Sequence, residues 1–403
     1  MAKRRRSVLA ATASAVASSL AGCLDGIGGN GETNGSNGND SSGDAPEVRT
    51  PLSVDSAFPQ HQFDGGNTGN ATNIEGPTGA IRSLFEFGTG TVGSGHQLGS
   101  PSVADGTVYV TEHAADTATT TVYAVDAVDG TTQWGQTYTE TDSAGPTAVV
   151  DGTVLAAVSG GVVGLDTATG DQQWSLRCQR ESGLTVADGT VYLVGVDGDS
   201  PTLYALSVAD GTVQWTKAID AAAYRPTPAV AGDTVYAGGD ALQALDTETG
   251  AQRWRSDDAV SAAPTVVEDS VVAISEGVVR VVEAADGTER WSGELPVGET
   301  AVTHSPAVAD DTVYVGAEGI AAYDLGSGEQ RYTRELAVDG PPVVAGDHLY
   351  LFASGQLGCL SARDGATEWA YGTQQRADPG DRAPAVVDGV AYFPAEKLYA
   401  ITA

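Results

Sequence analysis

The feature that most constrains this chain is a phrase of about forty residues that recurs along most of its length. All six tryptophans lie four residues after the glycine of a short turn, as in VDGTTQW and ADGTERW, and a seventh copy, GSGEQRY, has tyrosine there. Successive aromatic positions are 40, 41, 39, 37, 41 and 37 residues apart. A period near forty is typical of propellers and solenoids. The repeated aromatic residues are Trp134, Trp174, Trp215, Trp254, Trp291, Tyr332 and Trp369.

Each repeat contains only β-strand patterns. A short apolar strand such as PSVA leads into a turn at Asp105 and Gly106, and the TVYV that follows alternates with a period of two. A third strand and the strand with the aromatic residue complete four antiparallel strands, and no repeat has the periodicity of an amphipathic helix. These units predict propeller blades, because a helical solenoid needs helices and a β-solenoid needs shorter coils.

The ends of the chain complement each other. Seven repeats end in Trp or Tyr, and a last fragment, PAVVDGVAYFPAEKLYAITA, supplies three strands. A fourth strand is available in residues 80–87, where Phe85 or Phe87 can take the aromatic position. We therefore predict an all-β, eight-bladed propeller of four-stranded antiparallel blades over residues 56–403, whose ring closes when the N-terminal strand pairs with the C-terminal three. The first repeat is the longest, and its insertion at 112–121 predicts a protruding loop.

The N-terminus has the pattern of an export signal. Arg4, Arg5 and Arg6 precede a short, Ala-rich apolar stretch that is too short and too weakly apolar for a lasting membrane span. The pattern resembles a twin-arginine signal, and the LAGC at 20–23 resembles a lipobox that would lipidate Cys23. We expect a signal peptide over 1–22 and an exported protein anchored to the outer face of the cytoplasmic membrane. The alternative is a cleaved, soluble secretory protein.

Residues 23–55 are rich in Gly, Asn, Ser and Asp and have almost nothing to bury. This composition predicts a flexible stalk. Candidate N-glycosylation sequons begin at Asn34, Asn39 and Asn70.

The charge balance limits the partners. The chain has 53 acidic and 20 basic residues, a formal charge of −33, and its only lysines are Lys3, Lys217 and Lys397. So negative a surface repels nucleic acid and anionic lipid. Concentrated salt screens such self-repulsion, so the composition favours a halophilic source over an ordinary acidic extracellular protein.

The repeat resembles that of a known family. The stretch VGLDTATGDQQW at 163–174 is similar to the PQQ-type β-propeller repeat of quinoprotein alcohol dehydrogenases and of the Gram-negative outer-membrane assembly lipoprotein, and the QFDGGNTG at 62–69 resembles the family's lead-in to the closing strand. The resemblance covers about residues 60–403. It implies that the aromatic residue of each blade packs flat over the turn glycine of the next blade. In a halophilic archaeon there is no outer membrane, so the relative's assembly role does not follow.

The sequence offers little for cofactor chemistry. The resemblance to quinoproteins implies a catalytic Asp, an acidic and amide Ca²⁺ site and an adjacent Cys-Cys disulfide, but this chain has no Cys-Cys pair, and Asp129, Asp210, Asp286 and Asp364 all belong to repeated turns. We expect no cofactor and no metal, with PQQ and Ca²⁺ as the alternative. Cys178 and Cys359 lie in distant repeats and are expected to be free, buried thiols.

The loops before the inner strands differ from one repeat to the next. In a propeller they surround the mouth of the central channel, so they predict a funnel that binds an anionic or peptide ligand, with ordinary loop variation as the alternative. The predicted funnel residues are His96, Gln97, Tyr224, Arg225, His304 and Arg382.

Taken together, these features predict a non-catalytic, monomeric scaffold that binds other envelope or membrane proteins. The alternatives are a PQQ-dependent quinoprotein dehydrogenase and a solute-binding module that uses the funnel.

Overall fold

The computed structural model describes the repeat region and the segment that precedes it. The described residues are 52–88, 96–139, 141, 143–158, 160–221, 224–275, 277–295, 304–372 and 382–403. They form eight sheets of four antiparallel strands each, and these residues contain no helix. The predicted eight-bladed propeller is therefore confirmed. The predicted signal peptide, Cys23, Asn34, Asn39 and the stalk up to residue 51 lie outside the described residues.

The blades follow one another along the chain, and within each blade the strands run from the axis outward. The strands are Ser102–Ala104, Thr107–Ala114, Thr119–Asp126 and Thr132–Thr139 in blade 1; Thr147–Val150, Thr153–Val158, Gly161–Asp166 and Gln172–Arg177 in blade 2; Gln179–Ala187, Thr190–Asp197, Ser200–Ser207 and Val213–Ala218 in blade 3; and Ala229–Ala231, Thr234–Ala237, Leu242–Asp246 and Gln252–Ser256 in blade 4.

The second half of the ring repeats the pattern. The strands are Thr265–Val267, Ser270–Ser275, Val278–Glu283 and Glu289–Glu294 in blade 5; Ala307–Ala309, Thr312–Gly316, Gly319–Asp324 and Gln330–Glu335 in blade 6; Val343–Ala345, His348–Ala353, Gln356–Ser361 and Thr367–Tyr371 in blade 7; and Ala385–Val387, Val390–Pro394, Leu398–Thr402 and Arg82–Phe87 in blade 8. Two short strands add to this set, Gln97–Leu98 beside blade 1 and Asn70–Ala71, parallel, beside blade 7.

The turn chemistry fixes the register of the inner hairpins. Asp105 and Gly106 both have positive φ, 48° and 69°, as a two-residue type I′ turn requires. The apolar core lies between neighbouring blades, so the strands near the axis are buried on both faces and are mostly apolar. The largest cluster joins blades 7, 8 and 1, where the ring closes, and it includes Val54 and Phe58.

The two ends of the chain close the ring in the predicted way. Arg82–Phe87 pairs antiparallel with Leu398–Thr402, with Phe85 opposite Ala400. Phe85 takes the aromatic position of blade 8, because its ring packs over Gly130 of blade 1. A Cβ on Gly130 would lie 2.7 Å from a carbon atom of that ring. Blade 8 is therefore built from both ends of the repeat region.

An aromatic girdle ties each blade to the next. In seven blades the ring covers the turn glycine of the following blade so closely that a Cβ there would lie 2.4 to 2.7 Å from a ring atom. The glycines are Gly130, Gly170, Gly211, Gly250, Gly287, Gly328 and Gly365. The indole N–H also donates to a main-chain carbonyl, as Trp174 does to Val208 at 2.8 Å. Trp369, whose neighbour is the composite blade 8, donates instead to Pro77 at 2.8 Å.

Two expectations from the sequence differ from the structure. The insertion in the first repeat is no loose loop, because both strands of the hairpin continue through it and only 115–118 form the turn. Residues 52–55, assigned to the stalk, belong to the propeller, since Val54 is buried and the Asp55 N–H donates to the Asp388 carboxylate at 2.7 Å. Both segments look polar in sequence, and tertiary contacts determine their structure.

The girdle can be tested at one glycine. Gly250 has a φ of +67° and is covered by the Trp215 ring. Gly198 has a similar φ of +64°, but no atom lies within 4 Å of the position that a Cβ would occupy there. Gly198→Ala should cost about 1–2 kcal/mol for the left-handed backbone alone. Gly250→Ala should cost about 1–3 kcal/mol more, because the methyl group displaces the indole. Denaturant unfolding in concentrated salt gives both values, and equal costs would contradict the girdle.

Candidate functional site

The inner edges of the blades are bonded to a segment that precedes them in sequence. Residues 58–71, here called the lead-in, run around the axis from blade 1 to blade 7. Six inner-strand amides donate to lead-in carbonyls at N···O distances of 2.6 to 2.8 Å. The donor and acceptor pairs are Val103 and Phe58, Val149 and Pro59, Val230 and Gly65, Val266 and Gly66, Val308 and Thr68, and Val344 and Gly69.

Blades 3 and 8 are reached in other ways. The Gln60 side chain takes the place of main chain at blade 3, where its Oε1 accepts from Val186 N–H at 2.8 Å and its Nε2 donates to Val186 carbonyl at 3.1 Å. At blade 8 the Asp388 carboxylate accepts from the Ser56 N–H, and the Gly389 N–H donates to the Glu75 carbonyl, at 2.7 and 2.8 Å. The segment from Asp55 to Glu75 thus contacts every blade.

The lead-in fits the ring too closely for larger residues. A Cβ on Gly66 would lie 2.5 Å from the Val266 carbonyl oxygen, which is main chain and cannot move aside. Asn67 is buried, and its Nδ2 donates to the carbonyl of Pro228 at 2.9 Å and to that of Pro264 at 3.3 Å. The glycines and amides of this stretch therefore have a structural use, to cap inner strands from within the ring.

Two buried ionisable groups of the lead-in have shifted pKa values. Burial lowers the pKa of His61 to about 4, and its Nδ1 lies 3.1 Å from the Ser100 hydroxyl. Burial raises the pKa of Asp64, although two hydrogen bonds from Thr68 oppose that shift. His61 is accordingly neutral at pH 7.

The six predicted funnel residues lie in segments that precede inner strands. Gln97 pairs with His113 at the tip of the blade 1 hairpin. The His96 Nδ1 lies 3.3 Å from the buried Glu112 carboxylate, and its Nε2 lies 3.6 Å from Asp116. The remaining four are half-buried: Tyr224, Arg225, His304 and Arg382. That these residues share one ligand stays a prediction, and an Arg225→Ala/Arg382→Ala variant with unchanged ligand binding would count against it.

Sequence reasoning missed Arg180, another half-buried cation, which lies at the start of the innermost strand of blade 3. Blade 3 begins early, at Gln179, and its strand runs through a register shift between Arg180 and Leu184. The Arg180 Nη1 donates to the Ser182 carbonyl. No loop marks this position in the sequence, so only the pairing reveals it.

The residues that could hold the Ca²⁺ of a quinone site can be compared with the described part of the chain. Within this part of the chain no three His, Cys, Asp or Glu side chains lie together in a metal-binding arrangement. In the lead-in, the buried side-chain atoms without a hydrogen-bond partner are Oε1 and Nε2 of Gln62 and Oδ1 of Asn67. Ca²⁺ prefers several carboxylate oxygens, which these amides do not supply. Cys178 and Cys359 are free and buried, and burial raises their pKa values to about 11 and about 12.

The repeat region matches the family model described as outer membrane protein assembly factor BamB. The matches cover residues 63–183, 118–256 and 179–371, which together span most of the chain. The chain belongs to this family. The match includes most of the lead-in, blades 1 to 7 and the Arg82–Phe87 strand of blade 8.

Solved structures share the fold. The crystal structure of BamB from Moraxella catarrhalis is 19% identical and covers 80% of this chain and 100% of its own, with a TM-score of 0.63. The europium-containing methanol dehydrogenase is 13% identical and covers 83% of this chain and 88% of its own, with a TM-score of 0.68. The quinohemoprotein alcohol dehydrogenase of Comamonas testosteroni has a TM-score of 0.66 at 14% identity, with coverage of 86% and 80%. At these identities the likeness concerns the fold alone.

A curated relative is similar to part of the chain. The serine/threonine-protein kinase AfsK of Streptomyces griseus is 32% identical over a 162-residue alignment, and the match covers 35% of this chain and 20% of that kinase. The chain thus spans about a fifth of the length of this relative.

The described residues include no helix that is long and apolar enough to span a membrane.

His61 makes stability depend on pH in a defined window. The unfolded side chain titrates near 6.5 and the folded one near 4, so between these values the unfolded state binds more protons. The free energy of unfolding should therefore fall as the pH is lowered from about 6.5 to 4, by up to about 3 kcal/mol from this group. His61→Gln should lack this contribution. Denaturant unfolding of both proteins across this range measures the difference, and parallel curves would contradict it.

Proposed function

We propose that this protein is a non-catalytic interaction scaffold of the cell envelope. The observation that carries the proposal is the family match over residues 63–371. The family is named for outer membrane protein assembly, and assembly requires binding to other proteins. The described residues support it further, because the inner edges of the blades are bonded to the chain's own lead-in. Such a ring offers its two faces and its rim to partners.

We also propose an exported protein held at the outer face of the cytoplasmic membrane by a lipid on Cys23. The twin-arginine pattern at Arg5 and Arg6, the lipobox ending at Cys23 and the polar stretch after it support this location. The charge of −33 and the scarcity of lysine support a halophilic, archaeal source. In such a cell the partners would be proteins of the cytoplasmic membrane and cell surface, since an outer membrane is absent.

The competing proposal, a quinoprotein dehydrogenase, is supported only by fold similarity. A direct test is to incubate the full chain with PQQ and Ca²⁺ in concentrated salt, remove free quinone and record the visible absorption spectrum. We expect no quinone absorption to remain with the protein. Retained absorption with Ca²⁺, lost on chelation, would favour the enzyme.

The scaffold is tested by affinity capture of the tagged full chain from its own membranes in concentrated salt, followed by mass spectrometry. We expect a small set of envelope proteins in near-stoichiometric amounts. A bait of similar charge with a different fold controls for electrostatic capture, and a Cys23→Ser variant should shift the protein from the membrane to the soluble fraction. The scaffold proposal fails if both baits capture the same proteins.

A further inference from the structure

Among the described residues, the outermost strand of each blade has one edge without a strand partner. Such edges invite pairing with other chains, and proteins commonly protect them with charged side chains, proline or short strands. In seven blades the outermost strand is five or six residues long and carries at least one charged residue. These charged residues are Arg177, Lys217, Arg253, Arg255, Glu289, Arg290, Glu294, Arg331, Arg334, Glu335, Glu368, Arg82 and Glu86.

Blade 1 is the exception. Its outermost strand, Thr132–Thr139, has eight residues, and its sequence TQWGQTYT contains no charged residue and no proline. It pairs along its length with Thr119–Asp126 on one side only, and the side chains of Thr137 and Thr139 are exposed. In a chain with a charge of −33, this is the longest and least protected of the eight outer edges.

The edge is held in a fixed shape. The Trp134 ring covers Gly170 of blade 2, and its Nε1 donates to the Thr167 carbonyl at 2.8 Å. Further along the strand, the Tyr138 hydroxyl donates to Gln172 Oε1 at 3.1 Å. Both contacts fix the strand to blade 2, and no described strand pairs with its other edge. A strand ordered in advance loses little entropy when another strand pairs with it.

The charges around the edge indicate its partner. Residues 96–139 contain five carboxylates and neither lysine nor arginine. Asp129 lies in the turn before the strand, and the 68% exposed Asp116 lies near its other end, since Thr139 pairs with Thr119. A second copy paired antiparallel at this edge would bring the acidic end of one strand near the acidic end of the other. An extended segment with basic residues at both ends would be attracted instead.

We propose that the outer strand of blade 1 is a docking edge, to which an envelope partner adds an extended segment with an uncharged, β-forming centre and Lys or Arg at both ends. Main-chain hydrogen bonds would supply the affinity, and the acidic ends of the edge would set the selectivity. This inference rests on the proposed scaffold function and assigns it a surface.

The test uses the full chain and defined peptides. The probe is a fluorescent peptide of sequence KRTVTVTVRK, and the comparison peptides have Glu in place of the terminal basic residues or Pro in place of the central Val. We expect only the first peptide to bind, measured by fluorescence anisotropy. A Thr137→Lys/Thr139→Lys variant should bind it at least roughly tenfold more weakly, because both lysines lie on the edge and repel the basic ends.

The matched control is Thr216→Lys/Ala218→Lys, which places the same charges at exposed positions of the blade 3 outer strand. This variant should bind like the parent chain. Equal weakening by both variants, equal binding of all three peptides, or no binding of any peptide would overturn the proposal, and a dimer abolished by the blade 1 variant would assign the edge to a second copy. If membrane capture succeeds equally with the parent chain and the blade 1 variant, the scaffold stands and the docking edge fails.

Discussion

The structure depends on how it satisfies the main-chain groups at the edges of its strands. A blade of four strands has an inner and an outer edge, and unpaired N–H and C=O groups inside a protein are costly. At the inner edges, six valine amides donate to the lead-in, and the Gln60 side chain serves a seventh blade. The incomplete last blade is finished by Arg82–Phe87. The outer edges carry charged side chains as protection in seven of the eight blades, and blade 1 is the exception.

The charges are distributed unevenly around the ring. The position before the blade aromatic is Arg253, Arg290 and Arg331 in blades 4 to 6, and each arginine pairs with carboxylates of its own blade. The Arg253 pairing lowers the pKa of Asp246 to about 2. In blades 1 to 3 the same position is Gln133, Gln173 and Gln214. Exposed ion pairs add little stability individually, so this asymmetry matters more for what approaches each side of the rim than for folding.

The sequence predicted the parts of the fold that repeat. Periodicity and turn chemistry were sufficient for the blade count, for the closing strand and for the aromatic positions, because each blade obeys the same local rules. The lead-in was recognised only by resemblance, since a stretch such as Phe63-Asp-Gly-Gly-Asn67 has no periodicity and its carbonyls find their donors in distant blades. The end of the stalk and the blade 1 hairpin were misjudged for the same reason, because contacts with Asp388 and with Gln97–Leu98 determine them.

Residue-resolved hydrogen–deuterium exchange at the inner-strand valines is the most direct test of the lead-in's role. The amides of Val103, Val149, Val230, Val266, Val308 and Val344 would face an open channel without the lead-in. With the lead-in bonded to them, they should exchange only through global unfolding, as slowly as amides in the second strand of each blade. Exchange at these six positions as fast as at the free outer edge of blade 1 would contradict that role.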